Sequence, residues 1–290
     1  MSTAVANPST PSHLIPAGKS LVYVRAFTGL LLRDLYVLRR EIMPSIVRIV
    51  MNPLLFLFVF TYVMPHMTGG AAAMNPTARM AAAGGGFGTV LLPGLMAVAI
   101  MFSGIAAVAL PLAQEFGITR EIDDRVMCPL PIAAVAAEKV VFSAMQGFIS
   151  AAIVFPLAYF IPTPRVVVHV TSWLFLIVVL TLSSLLAGAL GLTIGTAVQP
   201  KQIGLIFSVV VIPITFLGCV YYPWAALGRI PWLQYGVLIN PIVYISEALR
   251  SSLTPTTGHM GNAYILAGLT FYLALLSWIG MRGFRRRVVG

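Results

Sequence analysis

Residues 170–198 read VTSWLFLIVVLTLSSLLAGALGLTIGTAV, with no Asp, Glu, Lys or Arg among them. At about 1.5 Å per residue, a helix of this length exceeds the ~30 Å hydrocarbon core of a bilayer. In water such a helix would have to be covered on every side. The rest of the chain cannot cover it. Of 290 residues, 59% are hydrophobic and 9% are charged, and the mean hydropathy is +0.95. Soluble globular chains carry about 25% charged residues. A soluble domain and a disordered chain are both excluded, which leaves an integral membrane protein.

Five further apolar stretches stand beside the first, at about 44–64, 89–113, 140–161, 203–222 and 263–281. The expected fold is therefore an all-α integral membrane protein with six transmembrane helices. Six spans use roughly 120 residues, which leaves no room for a large soluble catalytic domain. The basic residues set the orientation. Lys19, Arg25, Arg33, Arg39, Arg40, Arg48, Arg120, Arg125, Lys139, Lys201, Arg282, Arg285, Arg286 and Arg287 fall on one side of the six spans. Only Arg79, Arg165, Arg229 and Arg250 fall on the other. The positive-inside rule then places both termini in the cytoplasm. The net charge of +10 is used up by this asymmetry and does not point to nucleic acid.

The segments between the spans divide the chain further. Residues 1–19 are rich in Ser, Pro, Ala and Thr and lack a signal-peptide apolar region, so a disordered cytoplasmic tail is expected. In residues 20–42, Val24, Phe27, Leu30, Leu31, Leu35, Leu38 and Ile42 share one side of a helix, and Arg25, Arg33, Tyr36 and Arg40 share the other. This predicts an amphipathic helix on the cytoplasmic membrane surface, with packing on the bundle as the plainer alternative. The six-span domain covers 43–281, and a basic cytoplasmic tail follows at 282–290. Within the domain, loop 114–138 carries half of the chain's acidic residues: Glu115, Glu121, Asp123, Asp124. Its Arg120–Asp124 and Glu121–Arg125 spacings suit a short helix, ended by Pro129 and Pro131. A solvated turn and a docking surface fit this loop equally. Residues 223–253 are too polar and Pro-interrupted for a span. Two short helices broken at Asn240–Pro241 are expected there, dipping in from the outer side.

The chain holds little chemistry of its own. Gly18-Lys19-Ser20 resembles the end of a phosphate-binding loop, but His13 stands where that motif needs glycine. The four histidines are scattered, and no metal constellation forms. Cys128 and Cys219 are expected on opposite membrane faces, so no bridge is expected. No cofactor and no catalytic residue are expected in this chain. The spans also lack acidic residues near their middles, where ion-coupled carriers place them. Transport by this chain would therefore draw its energy from elsewhere. Gly191 and Gly195, with Ala187 a turn earlier, form a small-residue stripe suited to close packing within the bundle or between subunits.

Several segments together resemble the membrane subunit of ABC-2 type exporters, over roughly residues 20–285. Leu32-Arg33-Asp34 through Arg39-Arg40-Glu41, then Asn52-Pro53-Leu54-Leu55-Phe56, is similar to the family's connecting helix and first span. Leu92-Pro93-Gly94-Leu95 with Met101-Phe102-Ser103 resembles its second span. Glu115-Phe116-Gly117, Arg120-Glu121 and Pro129-Leu130-Pro131 resemble its cytoplasmic coupling loop. Pro231-Trp232, Asn240-Pro241, Tyr244 and Glu247-Ala248-Leu249-Arg250 resemble its outer re-entrant region. The subgroup of daunorubicin-exporter and nodulation-factor permeases is the closest in flavour, with polysaccharide exporters next.

The resemblance implies a permease in a bacterial plasma (inner) membrane. It would pair with a second permease subunit, identical or a sister, above two cytoplasmic ATPase subunits that carry ATP and Mg2+. Glu115, Phe116, Arg120, Glu121, Asp123, Asp124, Arg33 and Asp34 would couple to the ATPase. Asn52, Phe56, Phe60, Phe102, Phe207 and Phe216 would line the path of a lipophilic or lipid-like substrate. Pro231, Trp232, Asn240, Pro241, Tyr244, Glu247 and Arg250 would shape the outer gate. Glu247 and Arg250, spaced i,i+3, suit either a structural clamp or a substrate contact. A polysaccharide or lipid-linked glycan exporter, an ATP-independent secondary transporter and a membrane enzyme are the competing expectations.

Overall fold

In a computed structural model, residues 19–40, 42–59, 63, 87–119, 130–161, 166–206, 209 and 211–289 are described. They are helical with short connections, and no strand occurs among them. The helices are α1 (Lys19–Arg40), α2 (Ile42–Phe58), α3 (Phe87–Gln114), α4 (Ile132–Phe160), α5 (Trp173–Ala197), α6 (Ile203–Ile206), α7 (Ile212–Phe216), α8 (Pro231–Gly236), α9 (Pro241–Leu253) and α10 (Asn262–Val289). A π-helical turn, Glu115–Thr119, extends α3, and 3-10 turns flank α6 and α8.

Four helices among the described residues are long and apolar enough to cross a membrane: α3, α4, α5 and α10. The first and fifth expected spans do not join them. The first coincides with α2, which has 17 residues and stops at Phe58, and residues 60–62 and 64–86 lie outside the described part. The fifth ends early: after α7 the chain turns, and Cys219 leaves the helix at φ 52°. No continuous helix can run to 222 through that turn.

Two boundaries differ for one physical reason, the charged side chains that looked like span edges. Pro131 caps α4, so the helix starts at Ile132, eight residues before the expected span. Glu138 and Lys139 then lie inside it, fully buried. At the other end, α10 runs on to Val289 through the expected basic tail. Two of its arginines have partners there. The Arg282 guanidinium lies 5.4 Å from the Trp278 ring, and Arg287 donates to the Val198 carbonyl at 2.7 Å.

The bundle is centred on α3, whose residues from Val90 to Met101 are all buried. It packs against α4 and α5, α10 packs against α5, and α9 closes the end opposite to α1. Glycines set these approaches. A Cβ at Gly191 would sit 3.0 Å from the Ile105 Cα, and one at Gly195 would sit 3.1 Å from the Ala109 Cα. The small-residue stripe therefore packs against α3 within this chain. Ser143 adds a hydroxyl bond to the Gly104 carbonyl at 3.0 Å. Exposed Tyr264 and Arg282-capped Trp278 are 14 residues apart on α10, about 21 Å along a helix.

One glycine pair tests this packing. A Cβ at Gly94 would overlap the Val220 carbonyl, whereas one at Gly29 meets no atom within 4 Å. Gly94→Ala should destabilise the protein by about 1–3 kcal/mol. Gly29→Ala should be neutral or stabilise α1 by up to ~1 kcal/mol. Thermal unfolding of both variants in detergent measures the contrast, and equal melting temperatures would contradict the packing described.

Candidate functional site

The bundle end that carries α1 contains a buried ionic cluster. Lys139 lies two turns into α4 and is 1% exposed. Its Nζ donates to Glu115 Oε1 at 2.7 Å and to Asp34 Oδ2 at 3.5 Å. Both carboxylates are themselves buried. Three elements far apart in sequence thus converge on one ammonium: α1, the π turn ending α3, and α4. The local sequence accounts for each. Asp34 lies on the face of α1 that also buries Leu30, while Arg33 lies on the exposed side. Pro111 removes one N–H from the last turns of α3, and the helix widens into the π turn that starts at Glu115. Lys139 enters apolar surroundings that would reject a lone ammonium, and the two carboxylates compensate for it.

Beside the cluster, Phe116 meets Phe284 of α10 edge to face, with ring centroids 5.9 Å apart. Arg287 lies 5.3 Å from the Phe116 centroid and donates to the carbonyl of Val198, the residue that caps the C-terminus of α5. Leu30, Val108, Leu112, Leu130, Val135 and Phe284 form the apolar packing around this end. The π turn is therefore held by α1 and α4 through charge and by α10 through rings. Chemically the site has no nucleophile or metal set, and no group of His, Cys, Asp or Glu that could hold a metal occurs among the described residues. What it can do is transmit displacement, because a shift of α1 or of the π turn drags a buried charge with it.

The opposite end is organised by Asn240. Its side chain accepts from the Ile242 N–H at 3.0 Å, capping α9, and donates to the Ile214 carbonyl at 2.6 Å. Pro241 occupies the first turn. The break expected at Asn240–Pro241 is thus present between two helical pieces. Tyr244 lies over Gly268 of α10, its ring 5.5 Å from that of Tyr272. Glu247 and Arg250 pair with each other and are wholly buried. Pro231 and Trp232 of α8 are exposed instead.

The other expected residues are more dispersed. Phe102 packs against the main core, whereas Phe216 stands half exposed on α7 near the Tyr221 ring. Arg120, Glu121, Asp123, Asp124, Phe60 and Phe207 lie outside the described residues, as do Cys128 and the side chains of Asn52 and Phe56. Sequence reasoning missed Lys139, Phe284 and Arg287 as site residues. The signal for Lys139 was present: a lysine followed by some twenty residues without a charge must find carboxylates nearby.

This arrangement has a family. The ABC-2 type transporter family model matches residues 26–254, from the first third of α1 to the end of α9. The chain belongs to that family. It is accordingly a multi-pass membrane transport component, a permease and not a catalytic subunit, of a kind that works with ATPase partners. No curated protein gives a significant match to the chain.

Lys139→Met should remove the ammonium that joins two buried carboxylates and destabilise the protein by about 3 kcal/mol. Arg39→Met, on the exposed end of α1, should change stability by no more than ~0.5 kcal/mol. Thermal melting of the purified variants reads the difference. A Lys139→Met protein that melts with the wild type would remove the cluster from the account.

Proposed function

We propose that this protein is the permease subunit of an ABC exporter. It moves a lipophilic, drug-like or lipid-like molecule out of the cytoplasm or the inner leaflet of a bacterial plasma membrane. Two separate ATPase subunits supply the energy, with ATP and Mg2+ bound there, and a second permease subunit completes the pathway. In this reading six spans cross the membrane, α2 belongs to the first, and both termini lie in the cytoplasm. The observation that carries it is the Asp34–Glu115–Lys139 cluster. It joins α1, the root of the acidic loop and a long apolar helix through one buried ammonium at the basic end of the bundle. A permease driven from outside its own chain requires such a junction between the docking surface and the transmembrane helices. The loop at 114–131 docks on the ATPase, and α1 lies beside it against the membrane surface. The near absence of charge along the long helices suits an apolar cargo, and nothing here favours a glycan.

The test uses the chain co-expressed with an ATP-binding-cassette ATPase from a neighbouring gene, reconstituted in vesicles. ATP-dependent efflux of a lipophilic dye and substrate-stimulated ATP hydrolysis are expected. Reversing charge at Arg120 and Glu121 together should leave ATP hydrolysis in place and reduce its coupling to efflux by about 10-fold or more, comparable to losing one charged hydrogen-bonded contact. Unchanged coupling would count against the docking assignment. Flux driven by an ion gradient without ATP would replace the exporter by a secondary transporter.

A further inference from the structure

The pair Glu247–Arg250 on α9 is 0% exposed, yet its remaining partners are all main-chain groups. Glu247 Oε1 accepts from the Trp224 N–H at 2.9 Å, and Oε2 accepts from the Met260 N–H at 3.0 Å. Arg250 Nη2 donates to the Cys219 carbonyl at 3.1 Å. Cys219 is the only non-glycine with a left-handed backbone among the described residues. In that conformation its carbonyl reaches the guanidinium. Ser246, on the same helix, donates to the adjoining Gly218 carbonyl at 2.7 Å. α9 thereby holds three separate segments: the turn after α7, the start of the 3-10 turn at Trp224, and the approach to α10.

We propose that Glu247 and Arg250 are positioning residues, forming a main-chain clamp with a fixed polarity. The clamp makes the turn at 217–220, residues 224–229, α9 and the head of α10 one rigid outer unit that moves as a body during transport. Its role in transport rests on the permease reading, but the clamp itself does not. The polarity follows from the partners. Glu247 faces two N–H donors, which only an acceptor satisfies, and Arg250 faces a carbonyl, which only a donor satisfies. An ordinary ion pair survives exchange of its two members. Here exchange would set a guanidinium against two N–H groups and a carboxylate against a carbonyl oxygen, all buried.

Hydrogen–deuterium exchange of the full-length protein in lipid nanodiscs, resolved at individual amides, tests this. In Glu247→Gln, whose single carboxamide oxygen can serve only one of the two donors, at least one of the Trp224 and Met260 amides should exchange about 10-fold faster or more, with α5 unchanged. The inverted double variant, Glu247→Arg with Arg250→Glu, should be no slower than the single one. Cys219→Gly should keep both amides slow, since glycine adopts the left-handed backbone readily. Wild-type-like exchange in Glu247→Gln overturns the clamp, and so does recovery in the inverted pair. If Glu247→Gln exchanges fast throughout α5, the wild-type protein decides. Its Trp224 and Met260 amides should open together at matched rates, and unmatched rates overturn the proposal. Matched rates in a protein without ATP-coupled flux would keep the clamp and discard the permease reading.

Discussion

Close backbone approach between α3, α4 and α5 is the constraint on which the rest of the structure depends. In lipid, burying apolar side chains does not favour association, because acyl chains are equally apolar. Helices gain instead by touching closely, and only small residues permit it. A Cβ at Gly188 would lie 2.8 Å from the Ser143 hydroxyl, and one at Gly147 would lie 2.6 Å from that of Ser184. Each glycine is filled by a neighbouring serine, alanine or main-chain atom. The three helices consequently form a unit with little slack, on which α1, α9 and α10 are mounted.

The two ends of this unit are finished by buried charge in different ways. At the basic end one lysine gathers two carboxylates from separate elements, so side chain meets side chain. At the other end an acid and a base three residues apart face outward from their helix onto backbone. The first arrangement joins elements that can shift relative to each other, since long side chains swing. The second fixes atoms of the main chain, which cannot swing without unfolding locally. Such a division of labour, compliant at one end and stiff at the other, suits the exporter proposed above, in which work enters at one face and cargo leaves at the opposite one.

Much of this was legible in residue order. Four long apolar stretches correspond to α3, α4, α5 and α10, and the break expected at Asn240–Pro241 is where α9 begins. The limits arose where local reading conflicts with tertiary partners. Glu138 and Lys139 look like an aqueous boundary until Glu115 and Asp34 are placed beside the lysine. Arg285 to Arg287 look like a free tail until α10 is seen to continue through them. The break at Cys219 carries no signal in that residue itself, because a left-handed cysteine is an exception, and its carbonyl is met by Arg250 from a separate helix. For the site, the pairing of Glu247 with Arg250 was open to sequence reasoning, whereas its main-chain partners at Trp224 and Met260 were not.

The order in which the lysine cluster is made along the chain has a bearing on biogenesis. Asp34 and Glu115 both precede Lys139, so a ribosome delivers the two carboxylates before the ammonium that joins them. A lysine entering a bilayer alone is strongly disfavoured. Here it emerges at the head of a helix whose counter-charges already wait at the same face. The electrostatic partner search is therefore short, local and directional, and α4 can settle at its correct depth before α5 has been synthesised.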